Sequence, residues 1–436
     1  MYPHSRDTSP HVLAMVGLPA RGKTSISRKI SRYLSWLGHT TRVFNVGSYR
    51  RTLLGASQPA DFFDPENREG RKALDGMASA ALDDMIAWLG SGGEVAIFDA
   101  TNSNRGRRQW VQDQCRAHGY PVVFIESICN DEAIIEANVR ETKLRSPDYE
   151  GMNADDAVRD FRARIAHYER SYEPVGDPEK SYIKLIDVGR QVVLSRLHGY
   201  LPARLVPLLM NMHVAPRPIW LTRHGESVFN QQGLLGGDSD LSPRGEEYAR
   251  SLAAFVRERA DALGRAAGSP SEPAWTANDT VVWTSSLRRT VQTARPLAQR
   301  SVAWRALDEI DAGVCEGMTY EDIQQHMPEV FAARAADKFR YRYPRGESYE
   351  DVIQRLDPVI IQLERQRSPV LVIGHQAVIR AIYAYLMDKP PPTCPTLPIP
   401  LHTVIELVPT AYGCEERRFP LSPELPRPDD TAIAHP

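Results

Sequence analysis

The sequence is short of cysteine, of net charge and of long apolar runs, and each shortage removes a class of protein. Only five of its 436 residues are cysteine (Cys115, Cys129, Cys315, Cys394 and Cys414), an odd set without CxxC spacing. Such a set suits neither a disulfide framework nor a zinc cage, and it fits a reducing cytoplasm. The 53 basic residues are offset by 55 acidic ones, so general affinity for nucleic acid is not expected. No stretch reaches the roughly 18 apolar residues that span a bilayer, and Met1–His11 lacks a charged segment leading into an apolar one. Neither membrane insertion nor export is therefore expected. No solenoid-like repeat is evident either.

What is present is enough chain for two cores, since single cores tend to split beyond roughly 250–300 residues. Short apolar runs alternate with helical patterns, and the alternation occurs twice. The first set is Val12–Val16, Thr41–Asn45, Val95–Phe98, Val122–Glu126 and Tyr182–Asp187, with helices such as Lys23–Leu37 and Arg68–Leu89 between them. This order predicts a mostly parallel sheet covered by helices. A second α/β unit is predicted from Ile219–Thr222, Thr280–Trp283, Val370–Ile373 and Thr403–Leu407. Between the two sets, Gln191–Asn211 reads as a helical run and His213–Pro218 carries two prolines, which puts the boundary near residue 214. Gly264–Asn278 resembles a surface insertion and Pro420–Pro436 a proline-rich tail.

In the first half, Gly17-Leu-Pro-Ala-Arg-Gly-Lys-Thr24 satisfies G-x-x-x-x-G-K-[ST] and lies between an apolar strand and a helical pattern. The glycines let backbone amides wrap phosphates, Lys23 can neutralise the β and γ groups, and the Thr24 hydroxyl can ligate Mg²⁺. Asp99 ends the strand Val95–Phe98, where it could sit beside Mg²⁺, act as a base toward an acceptor hydroxyl, or cap the next helix. Thr101, Asn102, Arg105, Arg107 and Arg108 follow at once and suggest a second anionic pocket. Further basic or polar groups recur near loops: Arg50 and Arg51, Arg71 and Lys72, Lys143, and Arg164 with Tyr168 one helical turn apart.

In the second half, Leu221-Thr-Arg-His-Gly-Glu226 and Val370-Leu-Val-Ile-Gly-His375 each end an apolar strand in a histidine. Two strand-end imidazoles can face one cleft. A neutral imidazole is abundant at pH 7 and can attack phosphorus to form a phosphohistidine. Arg223 and Arg289 would favour that neutral form and clamp the transferring oxygens, while Glu309 would protonate the leaving alkoxide.

These motifs, GLPARGKT, FDATN, ESIC and SPDY followed by RHGES, IDAGVCE, YRYPRGESY and GHQAV, together resemble the 6-phosphofructo-2-kinase/fructose-2,6-bisphosphatase family over residues 12–414. RHGE alone is shared with phosphoglycerate mutases and acid phosphatases; its fusion behind this P-loop is the specific signal. The resemblance implies a P-loop kinase domain, a mostly parallel sheet with flanking helices, over residues 1–214. It implies a phosphoglycerate-mutase-like histidine phosphatase, an α/β sandwich, over residues 215–436. It further implies that Gly17, Gly22, Lys23, Thr24 and Ser25 hold ATP with Mg²⁺ on Thr24 and Asp99, that Asn138–Lys143 help enclose the nucleotide, and that Asp99 and Cys129 lie at the active site. Fructose 6-phosphate would meet Arg50, Arg71, Thr101, Arg107, Lys143, Arg164 and Tyr168. For the phosphatase it makes His224 the nucleophile and Glu309 the proton donor, with Arg223, Arg289 and His375 on the phosphoryl group. Asn230, Gly236, Tyr320, Arg334, Lys338, Tyr349, Gln376 and Arg380 would then bind fructose 2,6-bisphosphate. A homodimer joined through the kinase domains is implied as well.

Overall fold

The computed structural model describes residues 10–56, 58–140, 147–176, 180–187, 189–213, 217–266, 276–410 and 413–421. The chain divides into two compact units, Met1–His213 and Val214–Pro436. In the first, β1 (His11–Val16), α1 (Lys23–Trp36), β2 (Thr41–Asn45), α2 (Val46–Leu54), α3 (Arg68–Gly90), β3 (Val95–Asp99) and α4 (Arg105–Ala117) are followed by β4 (Val122–Ile128), α5 (Glu132–Asn138), α6 (Ala154–Glu169), β5 (Ser181–Ile186), β6 (Gln191–Ser195) and α7 (Tyr200–Asn211). The strands form one sheet in the order β2-β3-β1-β4-β5-β6, parallel except for the β5–β6 pair.

Every residue of β1 and β3 is buried, because helices cover both faces of the sheet. Such strands read as continuous apolar runs rather than alternating ones. On one face Val12, Ala14 and Val16 pack with Phe98, Phe124 and the α3 residues Ala81, Leu82 and Met85. Fully burying each large side chain contributes about 1.5–3 kcal/mol. The chain leaves β1 between β3 and β4, which run to opposite sides, and that reversal opens a crevice at the carboxyl edge where the glycine loop lies.

The helical reading of Gln191–Asn211 is corrected over its first part. Gln191–Ser195 is an edge strand paired antiparallel with β5, from Tyr182↔Ser195 to Ile186↔Gln191. Val192 and Val193 favour a strand by β-branching, and a turn with Asp187 and Gly189 at positive φ returns the chain beside β5. Helix α7 starts only after Gly199.

The second unit runs β7 (Ile219–Arg223), α8 (Val228–Gln232), α9 (Pro243–Ala266), β8 (Val281–Thr284), α10 (Arg288–Ala294), β9 (Ser301–Ala303), α11 (Tyr320–His326), α12 (Pro328–Ala336), α13 (Tyr349–Arg365), β10 (Val370–Gly374), α14 (Gln376–Leu386), β11 (Thr403–Pro409) and β12 (Cys414–Pro420). Its sheet order is β12-β11-β7-β10-β8-β9, with β11 antiparallel to both neighbours and the remaining pairs parallel. Pro420 thus belongs to β12, and the proline-rich segment beyond 421 lies outside the described residues. So does 267–275, most of the expected insertion. Among the described residues no helix is long and apolar enough to cross a membrane.

Candidate functional sites

The glycine loop between β1 and α1 is shaped by close approach. Gly17 has φ +138°, and a Cβ there would stand 2.5 Å from the Ser127 carbonyl oxygen on β4. Only glycine fits that approach. The Gly17 amide donates to Thr101 O at 2.9 Å, and the Asn102 side chain donates to Met15 O at 2.7 Å, so the loop after β3 is laced to the loop after β1. Lys23 folds over the loop and donates to Leu18 O at 2.6 Å. Asn138 reaches the loop from the end of α5, donating to Ala20 O at 3.1 Å.

Register then positions the acid. Parallel pairing sets Asn45 of β2 beside Asp99 of β3. The Asn45 side-chain oxygen caps α2 by accepting from Ser48 N at 2.9 Å, while its amide donates to Asp99 Oδ2. Thr24 Oγ1 donates to the same oxygen at 2.9 Å. Both contacts fall on Oδ2, and Oδ1 has no protein partner among the described residues. Thr24 and Asp99 together present hard oxygen donors, the kind that suits Mg²⁺. Ser25 sits one residue further into α1, partly exposed.

A basic cluster lies around Asp148. Arg50 contacts both carboxylate oxygens at 2.5 and 2.6 Å, with Arg51 at 3.7 Å and Arg164 at 3.8 Å. Burial works to raise the Asp148 pKa, but the bond from Arg50 and the charges of Arg50, Arg164 and Arg51 prevail and hold it below the ordinary value. The Phe63 ring lies 4.0 Å from the Arg164 guanidinium and 5.6 Å from that of Arg50. Burial raises the Tyr168 hydroxyl pKa, against the opposing charges of Arg164, Arg50 and Arg107 and the neighbouring Thr101. Arg107 pairs with Asp75 and covers Trp110 at 5.1 Å. Arg50, Thr101, Arg107, Arg164 and Tyr168 are thus brought together. Arg71 is exposed on α3, and Lys143 lies outside the described residues.

Cys129, just past β4, packs in an apolar cluster with Ala20, Ile135, Val139 and Tyr149. Burial raises its thiol pKa, so the group stays protonated at neutral pH.

In the second unit, β10 pairs with β7 so that Gly374 faces Arg223. The next residues, His375 and His224, therefore emerge side by side, with ring centroids 5.1 Å apart. His224 Nδ1 lies 2.6 Å from the Gly225 carbonyl oxygen. A carbonyl only accepts, so Nδ1 carries the proton and Nε2 keeps its lone pair. His375 is held the opposite way. Arg289 Nε donates to its Nδ1 at 3.3 Å, which leaves Nε2–H for Ser285 Oγ at 2.7 Å. Burial first, then the positive charges of Arg289 and Arg223, hold His224 well below the usual histidine pKa. Burial and the Arg289 charge do the same for His375.

Arg223, His224, Arg289 and Glu309 line one cavity, and so do Asn230, Gly236, Tyr320, Arg334, Lys338, Tyr349, Gln376 and Arg380. Fully buried His375 backs this wall rather than lining it. Glu309 is seated at the start of α14, where its carboxylate accepts from Gln376 N at 3.1 Å and Ala377 N at 3.3 Å. Arg334 donates to Tyr320 and Tyr343 hydroxyls at 2.8 and 2.7 Å, and Arg380 to Tyr349 at 3.2 Å. Burial, helped by Arg334 and Arg380, lowers the Lys338 pKa to about 8. Gly236 has φ +63°, and any Cβ there would overlap the Glu316 carboxylate, which also accepts from Gly237 N and Ala312 N. Asn230 spends its side-chain oxygen on the Ser227 amide at 3.0 Å.

Several contributors escaped the sequence reading. Ser285 orients His375, Asn45 holds Asp99, and Asp148 neutralises the basic cluster. Tyr341 and Tyr343 line the cavity, and only their place in YRYPRGESY pointed to them.

Comparisons agree with this division. Residues 2–216 match the family model described as 6-phosphofructo-2-kinase, and 219–420 match that of the histidine phosphatase superfamily (branch 1). A 6-phosphofructo-2-kinase/fructose-2,6-bisphosphatase of Arabidopsis thaliana is 51% identical over 415 residues, 94% of this chain; the chain spans about half, 54%, of that relative's length. Isoform 4 of Rattus norvegicus is 47% identical over 441 residues, covering 97% of this chain and 90% of the relative. Isoform 1 of Homo sapiens is 49% identical over 420 residues, covering 95% and 85% respectively.

Proposed function

Because the chain belongs to the bifunctional 6-phosphofructo-2-kinase/fructose-2,6-bisphosphatase family, we propose that its first unit makes fructose 2,6-bisphosphate from ATP and fructose 6-phosphate and its second unit hydrolyses the 2-phosphate. In the kinase step the sugar 2-hydroxyl oxygen attacks the γ-phosphorus in line and gives up its proton to water, and the bond to the bridging oxygen breaks with its electrons leaving on ADP. Loop amides from 17 to 24 and Lys23 bind the phosphates. Thr24 and Asp99 would hold Mg²⁺, which when bound offsets charge on the phosphate oxygens. Arg50, Arg107, Arg164, Thr101 and Tyr168 bind the sugar phosphate, with Arg71 and Lys143 as further candidates. Cys129 backs the loop at Ala20, its protonated thiol a packing group.

In the phosphatase step the His224 Nε2 lone pair attacks the 2-phosphorus. The bond to the sugar oxygen breaks, its electrons pass to that oxygen, and Glu309 supplies the proton. Arg223 and Arg289 stabilise the transferring oxygens, and His375 acts from behind the wall by accepting from Arg289 and holding that guanidinium in place. Water then attacks the phosphohistidine, giving a proton to Glu309 and returning the N–P electrons to Nε2. The 6-phosphate and ring lie toward Arg334, Lys338, Arg380 and the tyrosines. One observation carries this reading: oppositely oriented imidazoles between two arginines, with a carboxyl group in the same cavity.

Two further parts of the reading are a cytoplasmic location, supported by five free cysteines, and a homodimer through the kinase units, supported by the outer edge of β6, which pairs with no other strand among the described residues, and by exposed Leu194. The test is direct. Mg²⁺-ATP with fructose 6-phosphate should yield the bisphosphate, and fructose 2-[³²P],6-bisphosphate should label His224 in an acid-labile bond. Stronger labelling from 2,3-bisphosphoglycerate would replace the hydrolase by a mutase.

A further inference from the structure

The acid of the phosphatase step sits on a segment with no regular structure of its own. Between a short turn at Arg305–Leu307 and another at Gly313–Cys315, the chain passes Asp308, with extended backbone angles, and Glu309 in neither helix nor strand. Extended loop backbone is soft unless outside groups fix it. Here two clamps do so from different elements. From the loop before α10, Ser286 donates its amide and its hydroxyl to the Asp308 carboxylate, both at 2.7 Å. From α13, the Arg355 guanidinium donates to the carbonyl oxygens of Ala306, Asp308 and Glu309 at 2.5, 2.7 and 3.1 Å. Glu347 completes the frame. Its carboxylate binds Arg355 at 2.8 and 3.1 Å and accepts from Asp311 N at 3.0 Å.

We infer that Arg355 is a positioning residue for proton transfer, fixing the backbone that carries Glu309 so that its carboxyl group meets the departing sugar oxygen. A planar fork with five donors can span several carbonyls at once, and a lysine ammonium cannot hold that geometry. The inference rests on the reading of Glu309 as proton donor. It adds that the donor's aim depends on a guanidinium that does not line the cavity. Misplacement of a catalytic group by about 1 Å can cost on the order of 100-fold in rate.

Leaving-group dependence separates aim from general damage. A sugar alkoxide needs a proton as it departs, whereas p-nitrophenolate does not. Read in a single turnover as the rate of phosphoryl transfer to His224, before the water step that Glu309 serves for either substrate, full-length Arg355→Ala should lose about 100-fold on fructose 2,6-bisphosphate but about threefold or less on p-nitrophenyl phosphate. Arg355→Lys should show the same selectivity with a smaller loss, which keeps the test open if the alanine variant folds poorly. Glu309→Gln is the reference: it should lose the sugar substrate selectively as well. Equal losses on both substrates, or no loss on either, in the Arg355 variants would overturn the positioning role. If Glu309→Gln itself shows no selectivity, the assignment of Glu309 has failed instead, and the two failures are told apart.

Discussion

The two pockets treat their own charges differently. In the first unit the polar groups are engaged with one another: Arg50 and Arg164 on Asp148, Thr24 and Asn45 on Asp99, Lys23 on the loop it belongs to. In the second, Arg223, Arg289, Lys338 and Arg380 face a common cavity while tyrosines and backbone carbonyls, not carboxylates, hold several of them. On the proposed reading, the first arrangement exchanges protein partners for phosphate oxygens. The second is already set for an anion, which costs less reorganisation at the moment of reaction.

The sharpest way to test that contrast is to remove the proposed nucleophile. His224→Ala should abolish bisphosphate hydrolysis, by about 10⁴-fold or more, and leave kinase turnover within about twofold when both rates are measured on one sample. Asp99→Asn is the mirror image: kinase activity should fall by about 10²–10³-fold, read as ADP release, with hydrolysis unchanged. If either substitution silences both reactions, the separation of the two chemistries is wrong.

Asp148→Ala probes the self-neutralised pocket. Removing one partner from a buried charge cluster costs about 3–5 kcal/mol, since Arg50 and Arg164 lose their counter-ion. Fructose 6-phosphate should then raise the melting temperature of the variant more than that of the parent, because the ligand returns the missing negative charge. An equal rise would mean that these arginines do not receive the phosphate.

Proton linkage gives smaller, graded effects. His224 and His375 have native pKa values pushed below the unfolded value, so the unfolded state binds more protons as pH falls through about 6.5. Stability should therefore be retained above that pH and lost below it, by up to about 1.4 kcal/mol per pH unit for each histidine. Denaturant titrations across pH 5–7 check the slope, and replacing His375 by Asn should reduce it. The smallest effect concerns Lys338, whose pKa of about 8 makes its charge fade on the alkaline side. The KM for fructose 2,6-bisphosphate should rise above that pH, and Lys338→Arg should flatten the rise.

Sequence legibility followed how local each feature is. The glycine loop and both strand-end histidines were readable because an apolar run and the polar residue that ends it are neighbours in the chain. Glu309 could be placed by motif, but its seat on the first amides of α14 and the Arg355 clamp join segments far apart in sequence. No periodicity records such meetings. Ser285 and Asn45 look like ordinary turn and cap residues until pairing brings His375 and Asp99 against them. Strand β6 was misread for a related reason: Val192–Leu194 is short, and its partner strand, not its own pattern, decides its state.

One consequence follows from the rung that joins Gly374 to Arg223. The spacing of the two imidazoles is set by main-chain pairing deep in a sheet, while most other groups lining the cavity come from helices and loops. On the proposed function, exchanging those outer segments should therefore retarget the pocket to other phosphate esters without disturbing the spacing of the two rings.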